Sequence, residues 1–152
     1  MTLPLLVLPS AQEYQKYFDT TYCSAPIITF DSIPVYFDKI RFSHAFFEST
    51  QRNGQKDVFS NDRAQRMSWI APALQDSSTI RYQGWNRKIG SYDPAWRVAV
   101  IVQDFVVVIR LKAKQQGLVG DFMTCYKADN SIGKISQSPL WDEKACKAAL
   151  GI

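Results

Sequence analysis

The chain has 152 residues, 46% of them hydrophobic and 13% aromatic, which suits one packed α+β domain and excludes a disordered or fibrous protein. The formal charge is only +4, yet residues 78–114 hold seven basic side chains (Arg81, Arg87, Lys88, Arg97, Arg110, Lys112 and Lys114) against Asp93 and Asp104. Such local basicity on a nearly neutral body favours an anionic ligand over general stickiness. Cys23, Cys125 and Cys146 are widely spaced, without a CxxC pair and with one histidine in the chain. A structural metal site and a disulfide scaffold are therefore not expected, and a cytoplasmic setting is.

Met1 to Pro9 is apolar but interrupted by Pro4 and Pro9, too short for a membrane span, and reads as an extended arm packed on the body (1–10). Residues 11–75 read as mainly helical. A short helix is expected over 11–19, a small hairpin over 26–30 and 34–37 around Asp31-Ser32-Ile33, and a helix near 41–50. Ser60 reads as the N-cap of a longer helix whose apolar stripe is Ala64, Met67, Ile70, Ala71 and Leu74, with Pro72 kinking or tightening its end.

From about residue 78 the period changes to two. Strands are expected near 78–85, 95–102, 105–112 and 120–127, joined as a four-stranded antiparallel meander (78–127). One face would carry Trp96, Val98, Val100, Val102, Phe105, Val107, Ile109 and Leu111, covered by the 61–74 helix. A turn of helix over Ser131–Ser136, a break at Ser138-Pro139 and a last helix over 142–150 complete a single α+β domain.

Only Gln103 and Asp104 separate the two Val-rich runs, a two-residue hairpin spacing. If Val102 pairs with Phe105, Arg97 stands opposite Arg110. Like charges so placed destabilise a sheet by roughly 0.2–1 kcal/mol, so the pair calls for an anion, either an acidic side chain or a bound phosphate. Guanidinium groups hold phosphate bidentately and stabilise charge growing on phosphorus. Arg81 would join them, because Arg81, Gln83 and Trp85 share a face of the first strand. The competing reading pairs Arg110 with Asp121 and leaves Arg97 snorkelling at the edge. With Met123 and Cys125 in the core, Thr124 and Tyr126 would turn toward the arginines, for a hydrogen bond to phosphate or for stacking on a base. Arg63 and Arg66, three apart, form a solvated face or contact phosphate. Trp85, Tyr92 and Trp96 bracket the basic loop Asn86–Asp93, as a stacking platform or as the closing aromatics of a small core. His44 titrates nearest neutrality and is the default acid or base, unless it is a satisfied core or capping residue. The sequence contains no Gly-rich phosphate loop and no HExxH.

The segments Ser43-His44-Ala45-Phe46-Phe47-Glu48-Ser49, Asp62-Arg63-Ala64-Gln65-Arg66-Met67-Ser68-Trp69-Ile70, Tyr92-Asp93-Pro94-Ala95-Trp96-Arg97-Val98-Ala99-Val100 and Ile135-Ser136-Gln137-Ser138-Pro139-Leu140-Trp141 resemble the phage- and mobile-element-associated proteins of the barnase, EndoU, colicin and RelE ribonuclease superfold. The resemblance covers roughly residues 26–141. It implies a helical part packed on a four-stranded antiparallel sheet and metal-independent, cofactor-free cleavage of RNA, such as tRNA, by 2′-OH attack on the neighbouring phosphate. It also implies His44 as acid or base, Arg97 as phosphate clamp, and Thr124 or Ser138 as a supporting hydroxyl. A toxin-like ribonuclease would need an acidic inhibitor or immunity protein as partner. The alternative is a non-catalytic RNA-binding or protein-interaction domain of a mobile element using the same basic face, and a third reading, a non-catalytic interaction domain, expects the chain's own N-terminal arm to cover that face.

Overall fold

The computed structural model describes residues 3–49, 57–115, 117–128 and 132–152; Thr50 and Ser131, at the ends of two expected helices, lie outside them. Residues 3–8 of the expected arm form neither helix nor strand, and Leu3, Leu6 and Leu8 pack against the core. Its backbone is tied at Leu6 to the Gln65 carbonyl, and the Trp69 indole donates to the Pro4 carbonyl. The arm thus lies along the helices and does not cover the arginine face, contrary to one of the expectations above. Helix α1 (Ala11–Thr21) is capped by Ser10 and buries Tyr14 and Phe18.

Strands β1 (Ile27–Ile28) and β2 (Pro34–Tyr36) form the expected hairpin, but it does not stand apart from the sheet. Val35 and Tyr36 pair in parallel with Gly120 and Asp121, so β2 extends the sheet. The sheet is six-stranded and mixed, in the order β1-β2-β8-β7-β6-β5, where β5 is Ile80–Asn86, β6 Ser91–Val102, β7 Phe105–Lys114 and β8 Gly117–Lys127. The expected four-stranded meander is its larger, antiparallel part. Two-residue pairings such as this one carry too little sequence period to announce themselves.

Helix α2 (Arg41–Ala45) is shorter than expected and runs into β3 (Phe47–Glu48), which pairs with β4 (Val58–Phe59) as a second small sheet. The long helix expected over 61–74 is broken. Ser60 caps α3 (Asn61–Ala64), a 3-10 turn spans Met67–Trp69, and α4 covers Ile70–Gln75. Pro72 falls in the first turn of α4, where its missing N–H costs no hydrogen bond, so it starts a helix and does not end one. The apolar stripe survives the break: Ala64, Met67, Ile70 and Leu74 are all buried against Val98, Val100, Phe105, Val107, Ile109 and Leu111. After the sheet come α5 (Ile132–Ile135) and α6 (Glu143–Leu150), the latter capped by Asp142 and closed by Gly151 in the left-handed region. Pro139 and Trp141 bond the free edge of β5 through Gln83 and Arg81. No helix among the described residues is long and apolar enough to cross a membrane.

Two expected phosphate ligands are spent on tertiary ion pairs. Arg66 grips the Asp104 carboxylate with Nε and Nη2 at 3.0 and 3.2 Å, fastening the 3-10 turn to the β6–β7 hairpin, and Arg63 pairs with Glu48 at 3.4 Å. Arg81 stands opposite Val100, on the core face and not with Arg97. It pairs with Asp31 at 2.8 Å, between the rings of Phe30 and Trp141 at 4.5 and 4.6 Å.

Burial alone would raise the Asp31 carboxyl, but hydrogen bonds from Arg81 and Thr29, with the guanidinium charge, outweigh it and hold the pKa below the ordinary value. A carboxyl whose folded pKa is depressed adds stability above its unfolded pKa of about 3.9 and loses it as pH falls through the folded one. Urea stability of the wild type should therefore decline as pH drops below about 4, and Asp31→Asn should flatten that decline. An unchanged slope would show that the pair contributes nothing.

Candidate nucleic-acid interface

The hairpin register is the expected one. Val102 pairs with Phe105 and Val98 with Ile109, where the ladder ends, one residue short of Arg97 on β6 and of Arg110 on β7. Gln103 takes the left-handed turn position, with φ of +52°. Among the described residues neither arginine has a carboxylate partner. Asp121 does stand opposite Arg110 in register, yet its carboxylate goes to Lys112 at 3.0 Å. What the two guanidiniums share is the ring of Trp96, 5.5 Å from Arg97 and 5.3 Å from Arg110, with the Lys88 ammonium 5.8 Å away. Three cations thus surround one indole. The Arg97 Nε is buried without a hydrogen-bond partner, a donor left unmet by the protein itself.

Trp96 was expected in the core and is not part of it. The reason is an irregularity in β6. Gln83 pairs with Val98 but Gly84 pairs with Asp93, so residues 94–97 have no paired counterpart on β5 and form a bow in β6 that still packs closely on Gly84. Three contacts hold the bow. Asp93 accepts from the Ala95 N–H at 2.9 Å, the Trp141 indole donates to the Pro94 carbonyl at 3.0 Å, and Gly84 lets the chain come close. A Cβ at Gly84 would stand 2.7 Å from the Arg97 Cβ and 3.0 Å from its carbonyl oxygen. Gly84→Ala is expected to shift Arg97, costing roughly 1–3 kcal/mol of stability through overpacking. Wild-type stability in the variant would mean that the close approach at Gly84 does not position Arg97.

The loop expected over Asn86–Asp93 is instead a tight hairpin turn, residues 87–90. Buried Asn86 builds it, accepting from Lys88 N–H and donating to Asp93, while Gly90 takes φ of +65°. The turn brings Arg87 and Lys88 beside Trp85, Trp96 and Arg97 around an open cavity of about 630 Å³. A second cavity of about 280 Å³ adjoins it, also bordered by Trp85 and Arg97, with Tyr92, Tyr126, Lys134 and Ser138. Trp85 and Tyr92 meet edge to face at 5.2 Å and both are exposed; Ser138 donates to the Tyr92 hydroxyl at 3.2 Å. Trp85, Arg97, Tyr126 and Ser138 are thus brought together, as four of the residues singled out by sequence.

Thr124 and Tyr126 stand opposite Val108 and Val106, on the arginine side, while Cys125 is buried in the core as expected. Met123 is not: it falls at the register shift beside Phe122 and is half-buried at the rim. Burial pushes the Tyr126 phenol above its ordinary pKa, partly offset by the charge of Arg63, so at neutral pH it is a hydrogen-bond donor. His44 is exposed in the last turn of α2, and so is not the satisfied core residue that its neighbours Ala45 and Phe46 suggested. It lines neither cavity bordered by Arg97. Burial raises all three thiols, Cys23 to about 11, which removes the thiolate a cysteine nucleophile needs. Among the described residues no three His, Cys, Asp or Glu side chains gather as a metal site.

Of the two sequence readings of Trp96, a core residue of the sheet and an aromatic beside the basic loop, the second fits its place among the cations, and Pro94 inside a strand run with Gly84 in its partner signals the interrupted ladder. No family model, curated protein or solved structure matches the chain.

Proposed function

We propose that the chain is a metal-independent endoribonuclease that seats the RNA backbone on Arg97 and Arg110. The observation that carries this reading is the pair of guanidiniums on one indole, with no carboxylate partner for either among the described residues, flanked by exposed Trp85 and Tyr92. Phosphate satisfies the cations and the aromatics offer stacking surfaces, the combination that single-stranded nucleic acid uses. Cleavage through the 2′-OH restricts the substrate to RNA. Arg97 and Arg110 would stabilise the charge of the pentacoordinate phosphorus, with Tyr126 and Thr124 as hydroxyl donors beside them. His44 supports the catalytic form of the reading because it is exposed on α2 one helical turn from Arg41, and Arg41 shares a cavity with Arg110.

The second reading, RNA binding without cleavage, is favoured by one fact: His44 borders neither cavity that Arg97 does. One experiment separates the two. Purified protein in EDTA should cut single-stranded RNA to 2′,3′-cyclic phosphate ends, and His44→Ala should slow cutting while leaving affinity for uncleavable 2′-O-methyl RNA in place. Tight binding with no cutting supports the second reading, and no binding of either RNA overturns both. The acidic inhibitor and a tRNA target remain proposals of the same kind, tested by co-purification with an acidic protein encoded nearby and by cleavage of a tRNA pool.

A further inference from the structure

Arg110 faces two ways. On one side it joins Arg97 at Trp96; on the other it lines a separate open cavity of about 560 Å³ between the end of β2, the turn into α2 and β8. That cavity repeats the chemistry of the first. It holds an exposed aromatic ring, Tyr36, together with Lys39 and Arg41, and the Lys114 ammonium stands 6.0 Å from the same ring. Among the described residues Lys39 and Arg41 have no carboxylate partner. Unlike the first cavity, this one is also lined by two carboxylates, Asp38 and Asp121, against the three cations Lys39, Arg41 and Arg110. Asp38 accepts from the Ile40 N–H at 3.1 Å, and Asp121 is paired with Lys112.

Resting on the reading of this face as RNA-binding, we infer that the Tyr36–Lys39–Arg41 cavity is a second station for the same single strand. It takes a phosphate and base next along the chain from those at Trp96, with Arg110 bridging the two. A ring bordered by free cations is the repeating unit of a single-strand track, because every base offers a π-face and every nucleotide a phosphate. The preferred ligand is therefore an oligonucleotide long enough to reach both stations, and not a mononucleotide.

The test uses uncleavable 2′-O-methyl oligouridylates, a trimer and a nonamer, with affinity read by fluorescence anisotropy over a salt series. In the Lys39→Ala/Arg41→Ala double variant, nonamer affinity should fall about tenfold and the salt slope should drop by about 0.7 per cation removed. Trimer affinity should stay at the wild-type value. Tyr36→Ala, which removes an exposed ring and no charge, should weaken the nonamer with the salt slope unchanged. Nonamer binding untouched in both variants overturns the second station; if Arg97→Ala still abolishes binding of both oligomers, the proposed function stands without it. Equal losses for trimer and nonamer also overturn it, since the cavity would then be part of the first site. Failure of the wild type to bind either oligomer overturns the proposed function and this inference together.

Discussion

Replacing Arg97 and Arg110 together with alanine is expected to lower RNA cleavage by at least ~10³-fold, at the scale of losing more than one charge-stabilising donor, while leaving the protein no less stable. The two halves of that expectation come from one geometry. Facing guanidiniums cost a sheet roughly 0.2–1 kcal/mol, and their attraction to the Trp96 ring returns about 0.5–1 kcal/mol each at an exposed site. The buried, unpartnered Arg97 Nε adds a desolvation cost of about 1–3 kcal/mol. These terms oppose one another, so removing them together should leave the urea midpoint level or raised, with the m-value unchanged. Structural cations would behave otherwise. Arg66→Ala, which strips Asp104 of its bidentate partner, should destabilise without touching affinity in the fraction that stays folded. A double variant that unfolds more readily than the wild type would mean that Arg97 and Arg110 serve the fold, and the ligand argument would lose its basis.

The parts of this fold that could be read in advance are those fixed by local pattern. Two Val-rich runs with two residues between them allow one sensible register, and that register carries Arg97 and Arg110 to the same end of the hairpin, where both guanidiniums lie near the Trp96 ring. The 61–74 stripe likewise predicted which residues are buried even though the helix itself is broken, because burial follows the side-chain period and tolerates a 3-10 turn between helical pieces. What could not be read are consequences of contacts between distant residues. The four residues without a counterpart on β5 shift the register of β6 by an even number, which takes Trp96 out of the core, while Arg81 faces away from Arg97 because it pairs with Val100 in the regular part of the ladder. Asp31 claims Arg81 from fifty residues away, and Asp104 claims Arg66 from thirty-eight. No local spacing encodes such choices. The joining of β2 to β8 rests on two residues per strand and a long crossover, below the threshold at which periodicity carries information.

Phe18→Ala is expected to cause the largest stability loss of any single substitution considered, about 3–5 kcal/mol for a fully buried phenylalanine. Phe18 is wholly buried, and its ring lies 5.7–6.1 Å from those of Tyr22, Phe37, Phe42, Phe46 and Phe122. It therefore joins α1 to β8 and to both ends of α2. Against a typical total of 5–15 kcal/mol that loss is large, and for a chain of this size it should lower the melting temperature by roughly 6–20 °C. The functional consequence should be uneven. Phe42 and Phe46 seat α2, and Phe122 seats the part of β8 beside Asp121, so a void at Phe18 loosens the supports of Arg41 and His44 first. The Trp96 bow is held from elsewhere, by Gly84, Asp93 and Trp141. In the folded fraction of Phe18→Ala, binding that depends on Arg41 should weaken while binding at Trp96 persists, and Phe18→Leu, which refills most of the volume, should restore both stability and the Arg41-dependent share. Equal weakening at the two places would show that α2 and the β6 bow rest on the same support.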